Sequence, residues 1–237
     1  MAISNISGRI VDLTLTLEDN MPAHRLFQRP VIIPHHTHEG TVSFELGVPG
    51  DRMTFATTHI STIDHIGTHI DAFFHVNPDG LSVDQMPLDM FMGKAVCLDL
   101  QHIPDLGDVD VGDLEEAQEK AGVEIDGHIV LMCSSLTKKH YPEPECVISN
   151  WGLTGPATHW LADRNSKIHG VEGPSTDRPN WSEFPNHRVC RERGITHYEW
   201  LMNMEELIGV GEFFFSGVPL KLDGGSGSPV RAFAVLN

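Results

Sequence analysis

Basic residues are scarce in this chain. Its 237 residues include 16 lysines and arginines against 33 aspartates and glutamates, a formal net charge of -17 at pH 7. Nucleic-acid binding needs a basic footprint, so that class is excluded, and an anionic membrane surface is disfavoured. Long apolar runs are missing too, and no window approaches the roughly 20 residues of a membrane span. Met1–Gly8 has neither a basic region nor an apolar run, so no secretory signal is expected. Cysteine is sparse: Cys97, Cys133, Cys146 and Cys190 are widely spaced, with no C-x-x-C pair. That argues against a disulfide framework and for a reduced, cytoplasmic protein, with Cys97 and Cys133 as buried thiols in apolar runs. There is no repeat, no low-complexity tract and no interdomain linker. The length suits one domain spanning residues 1–237.

Histidine is abundant by contrast, with 15 copies. Three of them crowd into His65-Ile66-Gly67-Thr68-His69-Ile70-Asp71-Ala72-Phe73-Phe74-His75. The ionisable residues fall on odd positions and alternate with Ile66, Ile70, Ala72 and Phe74, the period of a half-buried strand. Imidazole and carboxylate on one face are ligands for zinc or manganese. On a straight strand His65 and His69 would stand roughly 13 Å apart, too far to share an ion. A helix would bring them together but turn Asp71 away. The spacing therefore predicts a kinked strand, with Gly67 as the bend.

Other elements follow from pattern. Ile10–Leu17, Thr41–Gly47, Thr54–Ile60, Lys94–Leu100, His128–Cys133, Glu212–Leu222 and Val230–Leu236 read as strands. Asp113–Ala121 reads as a helix stopped by Gly122, and Thr154–Ala162 as one capped by Thr154. Thr196–Ile208 reads as a third helix, because Thr196-His197-Tyr198-Glu199 matches a capping box. Many strands and few helices predict an α/β domain on a curved or barrel-like sheet. The glycine-rich run Asp223–Ser228 precedes Pro229 and an alternating segment rather than a helix, so it reads as a strand connection and not a phosphate cradle.

The stretch from His65 to His75 resembles the H-x-G-T-H-x-D-x-x-x-H signature of the cyclase-like metal-dependent hydrolases. Asn77–Gly80, Met86–Asp89 and Gly93 resemble the segment that follows it. So do Ile168–Glu172 through Ser175 and Asp177, with Glu172 where aspartate is usual, and Pro219–Lys221 and Gly227–Arg231 near the end. The resemblance implies a swivelling β/β/α architecture and a homo-oligomer, dimer or tetramer. It implies His65, His69 and Asp71 as metal ligands, an ion or two of Zn or Mn per chain, and a small-molecule amide substrate, an arylformamide or a cyclic amide. The family's second-site ligands are a histidine and a glutamate twelve residues apart, which selects His187 and Glu199. Glu199 also has the local reading of a helix cap. His75 takes the place of the last motif histidine and is assigned acid–base work, with ligation as its alternative.

The sequence departs from the formamidase branch at Phe73, where that branch has proline, and at Asn20–Arg25, which lacks its tryptophan segment. Phe27, Phe73 and Phe74 are candidates for an aromatic pocket or for core. His35, His36 and His38 read as a polar loop. His59, His140, His159, His169 and His197 carry no assignment. The leading reading is a metal-dependent hydrolase of a small amide's C–N bond. A lactone or ester hydrolase on the same site is the alternative within enzymes, and a non-catalytic protein holding metal or a small acid is the alternative outside them.

Overall fold

The Met92–Asp99 and Ile129–Cys133 strands explain the architecture. Both are buried on both faces, and their side chains split by parity. Ala95, Cys97, Ile129, Leu131 and Cys133 enter one core; Val96, Leu98, Val130 and Met132 enter another. Such two-sided burial belongs to the parallel centre of an α/β sheet. The computed structural model of the chain describes residues 8–236, so the N-terminal stretch Met1–Ser7 that bears on a leader signal lies outside the described residues.

Nine strands form the main sheet, in the order Arg9–Asp12, Phe233–Leu236, Phe213–Ser216, Met92–Asp99, Ile129–Cys133, Ile168–Val171, Thr196–Glu199, His69–Asp71 and Gly227–Pro229. The pairings from Met92–Asp99 through Thr196–Glu199 are parallel, and the flanking ones antiparallel. Val11 and Leu236 at one end share a core with Ile70 and Tyr198 near the other, so the sheet curls around that core. The second core lies on the outer face, under the helices Val111–Ala121 and Gly155–Asp163. Helix Pro185–Arg193 packs on Gly155–Asp163. The α/β class with a curved sheet and few helices is as expected.

Local chemistry sets the helix ends. Thr154 Oγ1 accepts from Ala157 N at 3.3 Å, an N-cap worth about 1 kcal/mol. Gly122 stops Val111–Ala121 at φ 65°, where a side chain would be strained. Gly67, at φ 62°, makes the bend expected before the His69–Asp71 strand.

Three expectations are corrected: His35 and His36, read with His38 as a polar loop, lie in the strand Val31–His36, and two further elements differ in kind. Thr41–Gly47 is not a strand but contains a single 3-10 turn at Val42–Phe44. The Thr41 hydroxyl ties this loop, donating to Phe55 O and accepting from Phe55 N. Thr196–Ile208 is not a helix: Thr196–Glu199 is a strand, and only Met204–Leu207 makes a 3-10 turn. The capping-box reading of Glu199 falls with it. Trp200 and Asn203 are both left-handed, at φ 57°, which no helix can traverse. Strand pairing on both sides captures the segment instead. Most of the remaining strands are narrower than read, for instance Thr57–Ser61 and Phe213–Ser216, whereas the one read as Lys94–Leu100 runs from Met92 to Asp99.

The Val31–His36 and Thr57–Ser61 strands form a separate antiparallel pair. Val42, Val48, Met53 and Ile60 in this arm are all exposed. His36 and His38 hydrogen-bond to Thr57 and Thr54 there, apart from the motif histidines.

Tyr198 is fully buried and donates to Gly217 O at 2.9 Å. A Cβ on Gly217 would meet the Tyr198 ring at 2.7 Å, and an aromatic ring has little freedom to give way. Gly217→Ala is expected to lose about 1–3 kcal/mol, read as a lower midpoint in urea unfolding; an unchanged midpoint would contradict this packing.

Candidate metal centre

Asp71 sits where the kinked motif meets two strands from far downstream. Its strand pairs with Thr196–Glu199 on one side and Gly227–Pro229 on the other. Alternation sends Ile70 into the core and turns His69 and Asp71 to the opposite face. Alternation on the neighbouring strand buries Tyr198 and turns His197 and Glu199 toward Asp71. Thr196 fastens the two strands by donating its hydroxyl to Asp71 O at 2.7 Å.

The Asp71 carboxylate is shared between two sets of groups. Oδ1 lies 2.7 Å from His65 Nδ1 and 3.3 Å from His69 Nε2. Oδ2 lies 3.3 Å from His197 Nε2, 3.7 Å from His75 Nε2 and 3.8 Å from His187 Nε2. Glu199 adds two oxygens, 3.5 Å from His69 Nε2 and 3.2 Å from His197 Nε2. Donor atoms of His65, Asp71 and His75 lie within 4.8 Å of one another, as do those of Asp71, His187, His197 and Glu199. All the residues selected from sequence, His65, His69, Asp71, His75, His187 and Glu199, thus converge on one place.

The far side of each ring decides which nitrogen faces inward. His69 Nδ1 lies 2.8 Å from Gly67 O, an oxygen that only accepts, so Nδ1 carries the proton. In the neutral ring that leaves Nε2 as the lone pair, buried without a hydrogen-bond partner and facing two carboxylates. Like dipoles and charges repel in that arrangement unless a cation lies between them. His187 Nδ1 donates to Asp177 Oδ2 at 2.5 Å, which again leaves Nε2 for the centre. Ser226 spends its hydroxyl proton on Asp64, so it accepts from His65 Nε2 at 3.0 Å and leaves Nδ1 to face Asp71. Oriented imidazoles with their outer N–H groups held are the habit of metal-binding histidines. The donor set fits a divalent cation.

Charge accounts for the titration behaviour. Burial would raise the Asp71 pKa, but His65, His197 and His75 outweigh it and hold it well below the usual carboxylate range. Burial would lower His65, yet Asp71 leaves it raised. His75 is lowered, by burial first and then against the pull of Asp71 by the charge of its neighbours His65 and His187.

A cleft of about 500 Å³ opens onto these groups. Phe27 lines it and stacks on His65 with ring centroids 5.9 Å apart. Phe184, Arg188 and Arg191 line it too, and sequence reading missed them. Phe184 immediately precedes the helix that carries His187, and Arg188 and Arg191 follow His187 at positions one and four residues on, which was the available signal. Of the other pocket candidates, Phe73 packs on the inner core and Phe74 is exposed. His197 was also missed. The glycine-rich run connects strands only as far as Ser226, since Gly227 and Ser228 already belong to the Gly227–Pro229 strand, and Ser226 and Gly227 bring it against His65.

The whole assembly is a candidate metal site on a curved α/β sheet, and known proteins place it further. The family model Cyclase (Putative cyclase) matches residues 11–178. Kynurenine formamidase of Salinibacter ruber is 29% identical over 169 residues, 71% of this chain and 74% of that protein. The Bacillus cereus kynurenine formamidase is 30% identical over the same shares. Isatin hydrolase A from Ralstonia solanacearum superposes with a TM-score of 0.81 at 26% identity, covering 97% of this chain and 92% of that one. The chain belongs to the cyclase family, a family of metal-dependent hydrolases.

Glu172, in the same family stretch as Asp177, points elsewhere. Its Oε2 accepts from Ser134 N, Ser134 Oγ and Leu136 N, while Oε1 is buried without a partner. Burial pushes its pKa up to about 7, against the pull of those donors. The folded state therefore holds the proton more tightly than the unfolded chain, whose value is about 4.5. The resulting stability is complete below that unfolded value and is lost as pH rises through about 7. The loss is roughly 3 kcal/mol. Glu172→Gln cannot ionise, so its unfolding free energy should fall less than wild type between pH 5 and 8 in paired denaturant titrations; parallel profiles would refute the buried acid.

Proposed function

We propose that the chain is a metal-dependent amidohydrolase that cleaves the C–N bond of a small amide, an arylformamide or a cyclic amide. The observation that carries this reading is the buried, unpartnered His69 Nε2 directed at Asp71 and Glu199. In this reading His65, His69 and Asp71 hold a first ion, and Asp71, His187 and Glu199 a second. Nitrogen and carboxylate donors without thiolate suit zinc or manganese. When bound, the metal lowers the pKa of water and polarises the scissile carbonyl.

The chain's own residues do the rest. Phe27 and Phe184 border the cleft and favour an aromatic or flat substrate. Arg188 and Arg191 give its mouth a positive edge in a strongly acidic chain, which suits the carboxylate that amide hydrolysis releases. His75 reaches the cleft and is only partly buried. Its lowered pKa keeps it neutral near pH 7, ready to take a proton at Nε2 and pass it to the leaving nitrogen. The exposed apolar side chains of the Val31–Ser61 arm support a homo-oligomer, a dimer or tetramer. Four free, buried cysteines accord with a reducing, cytoplasmic setting. No helix among the described residues is long and apolar enough to cross a membrane.

A panel of arylformamides, cyclic amides, lactones and esters, assayed with zinc- and manganese-loaded protein, tests the assignment. Hydrolysis is expected for an amide and is expected to vanish on chelation. Asp71→Asn should stay inactive after metal is added back, because it loses the charge shared by both sets of ligands; a fully active Asp71→Asn would end the proposal.

His75→Ala should keep its metal by elemental analysis and lose rate by roughly 10²–10⁴. Loss of metal from that variant would make His75 a ligand instead.

A further inference from the structure

His197 is the one imidazole in the centre that neither the motif nor the family spacing selects. It is 1% exposed and stands two residues before Glu199 on the same strand face. Its Nε2 lies 3.3 Å from Asp71 Oδ2 and 3.2 Å from Glu199 Oε1. Donor atoms on a tetrahedral zinc, bonded at about 2.0–2.1 Å, stand roughly 3.3 Å apart. The His197 contacts therefore match two edges of such a tetrahedron, and His187 Nε2 closes on the same oxygen at 3.8 Å.

The wiring behind the ring points the same way. Thr158 gives its hydroxyl proton to Thr154 O, so it accepts from Asn186 Nδ2 and fixes the orientation of that amide. Asn186 Oδ1 then accepts from Thr176 Oγ1 at 2.6 Å and from the Cys190 thiol at 3.5 Å. With its proton so committed, Cys190 Sγ is an acceptor for His197 Nδ1–H at 3.8 Å. With Nδ1 engaged on the outer side, Nε2 faces the centre, where it meets Glu199 and, at 3.5 Å, the Thr176 hydroxyl. The same amide donates to His169 Nε2 at 3.2 Å, which occupies the nitrogen His169 would otherwise offer to a site with Cys190.

We infer that His197 is a direct ligand of the second ion, completing a four-residue site of Asp71, His187, His197 and Glu199. This rests on the metal-centre reading above. Four protein ligands would close that site, whereas His65, His69 and Asp71 leave a coordination position open; closed sites are typical of structural ions and open ones of catalytic ions.

Zinc-loaded protein, crystallised and mapped by anomalous scattering at the zinc edge, tests this. The expected result is an ion bonded to these four residues with His197 Nε2 at about 2.0–2.1 Å. An ion there with His197 unbonded overturns the inference, and so does one seated between His169, Cys190 and His197. His197→Gln and His197→Asn give a second readout, by zinc titration against a chromophoric chelator with circular dichroism to confirm folding. A folded variant should lose affinity at one site by more than the roughly 10–100-fold that removing an outer partner costs, and keep the other. Wild-type affinity at both sites in a folded variant overturns the assignment. Wild-type protein that takes up no zinc overturns this inference together with the reading it rests on, whereas zinc bound without His197 overturns this one alone.

Discussion

A single buried carboxylate organises the molecule. Asp71 is almost fully enclosed, and an ionised carboxylate in such a place is tolerated only where positive charge or strong donors compensate it. Here His65, His69, His75, His187 and His197 gather round it from three separate stretches of chain, a donor set that fits a divalent cation. The sheet exists, in part, to bring those stretches together. The inner core holds Ile70 and Tyr198 in place, and their strand neighbours are thereby aimed at one point. Packing on one face of the strands thus fixes chemistry on the other.

Behind the inward-facing nitrogens runs a layer that assigns protons. Gly67 O, Asp177, Cys190 and Ser226 each contact the far nitrogen of one ring. Asp177 also accepts from the backbone N of Asn186 and His187, so it anchors the first turn of the helix it serves. Asp64 accepts from Ser226 N, Ser226 Oγ and Gly227 N, which pins the glycine-rich connection against His65. A Cβ at Gly227 would stand 2.8 Å from the His65 ring, so the close approach requires glycine there.

How much of this was legible depended on whether the determinant was local. The kink at Gly67 followed from the reach of two histidines along a strand, and the chain bends there. The caps at Thr154 and Gly122 were local too. Thr196–Glu199 was not. Its residues satisfy a capping pattern, but long-range pairing on both edges and the left-handed Trp200 decide its conformation. Reading T-H-Y-E as alternation, with tyrosine inward, would have put His197 beside Glu199. A lone histidine carries no such signal unless its strand is recognised first. Phe184, Arg188 and Arg191 reach the cleft because of how helix Pro185–Arg193 docks, which no short window reveals.

The placement of the His69–Asp71 strand between two late strands has a kinetic consequence. Thr196 bonds to Asp71 across 125 residues, and His65 meets Ser226 across 161. Contacts so distant along the chain form only after large loops have closed, and such closures are slow relative to local structure. The motif histidines near the beginning of the chain therefore remain without their partners until its final quarter has been synthesised and docked. The full donor set is accordingly a property of the finished fold, and the last strands to arrive complete it.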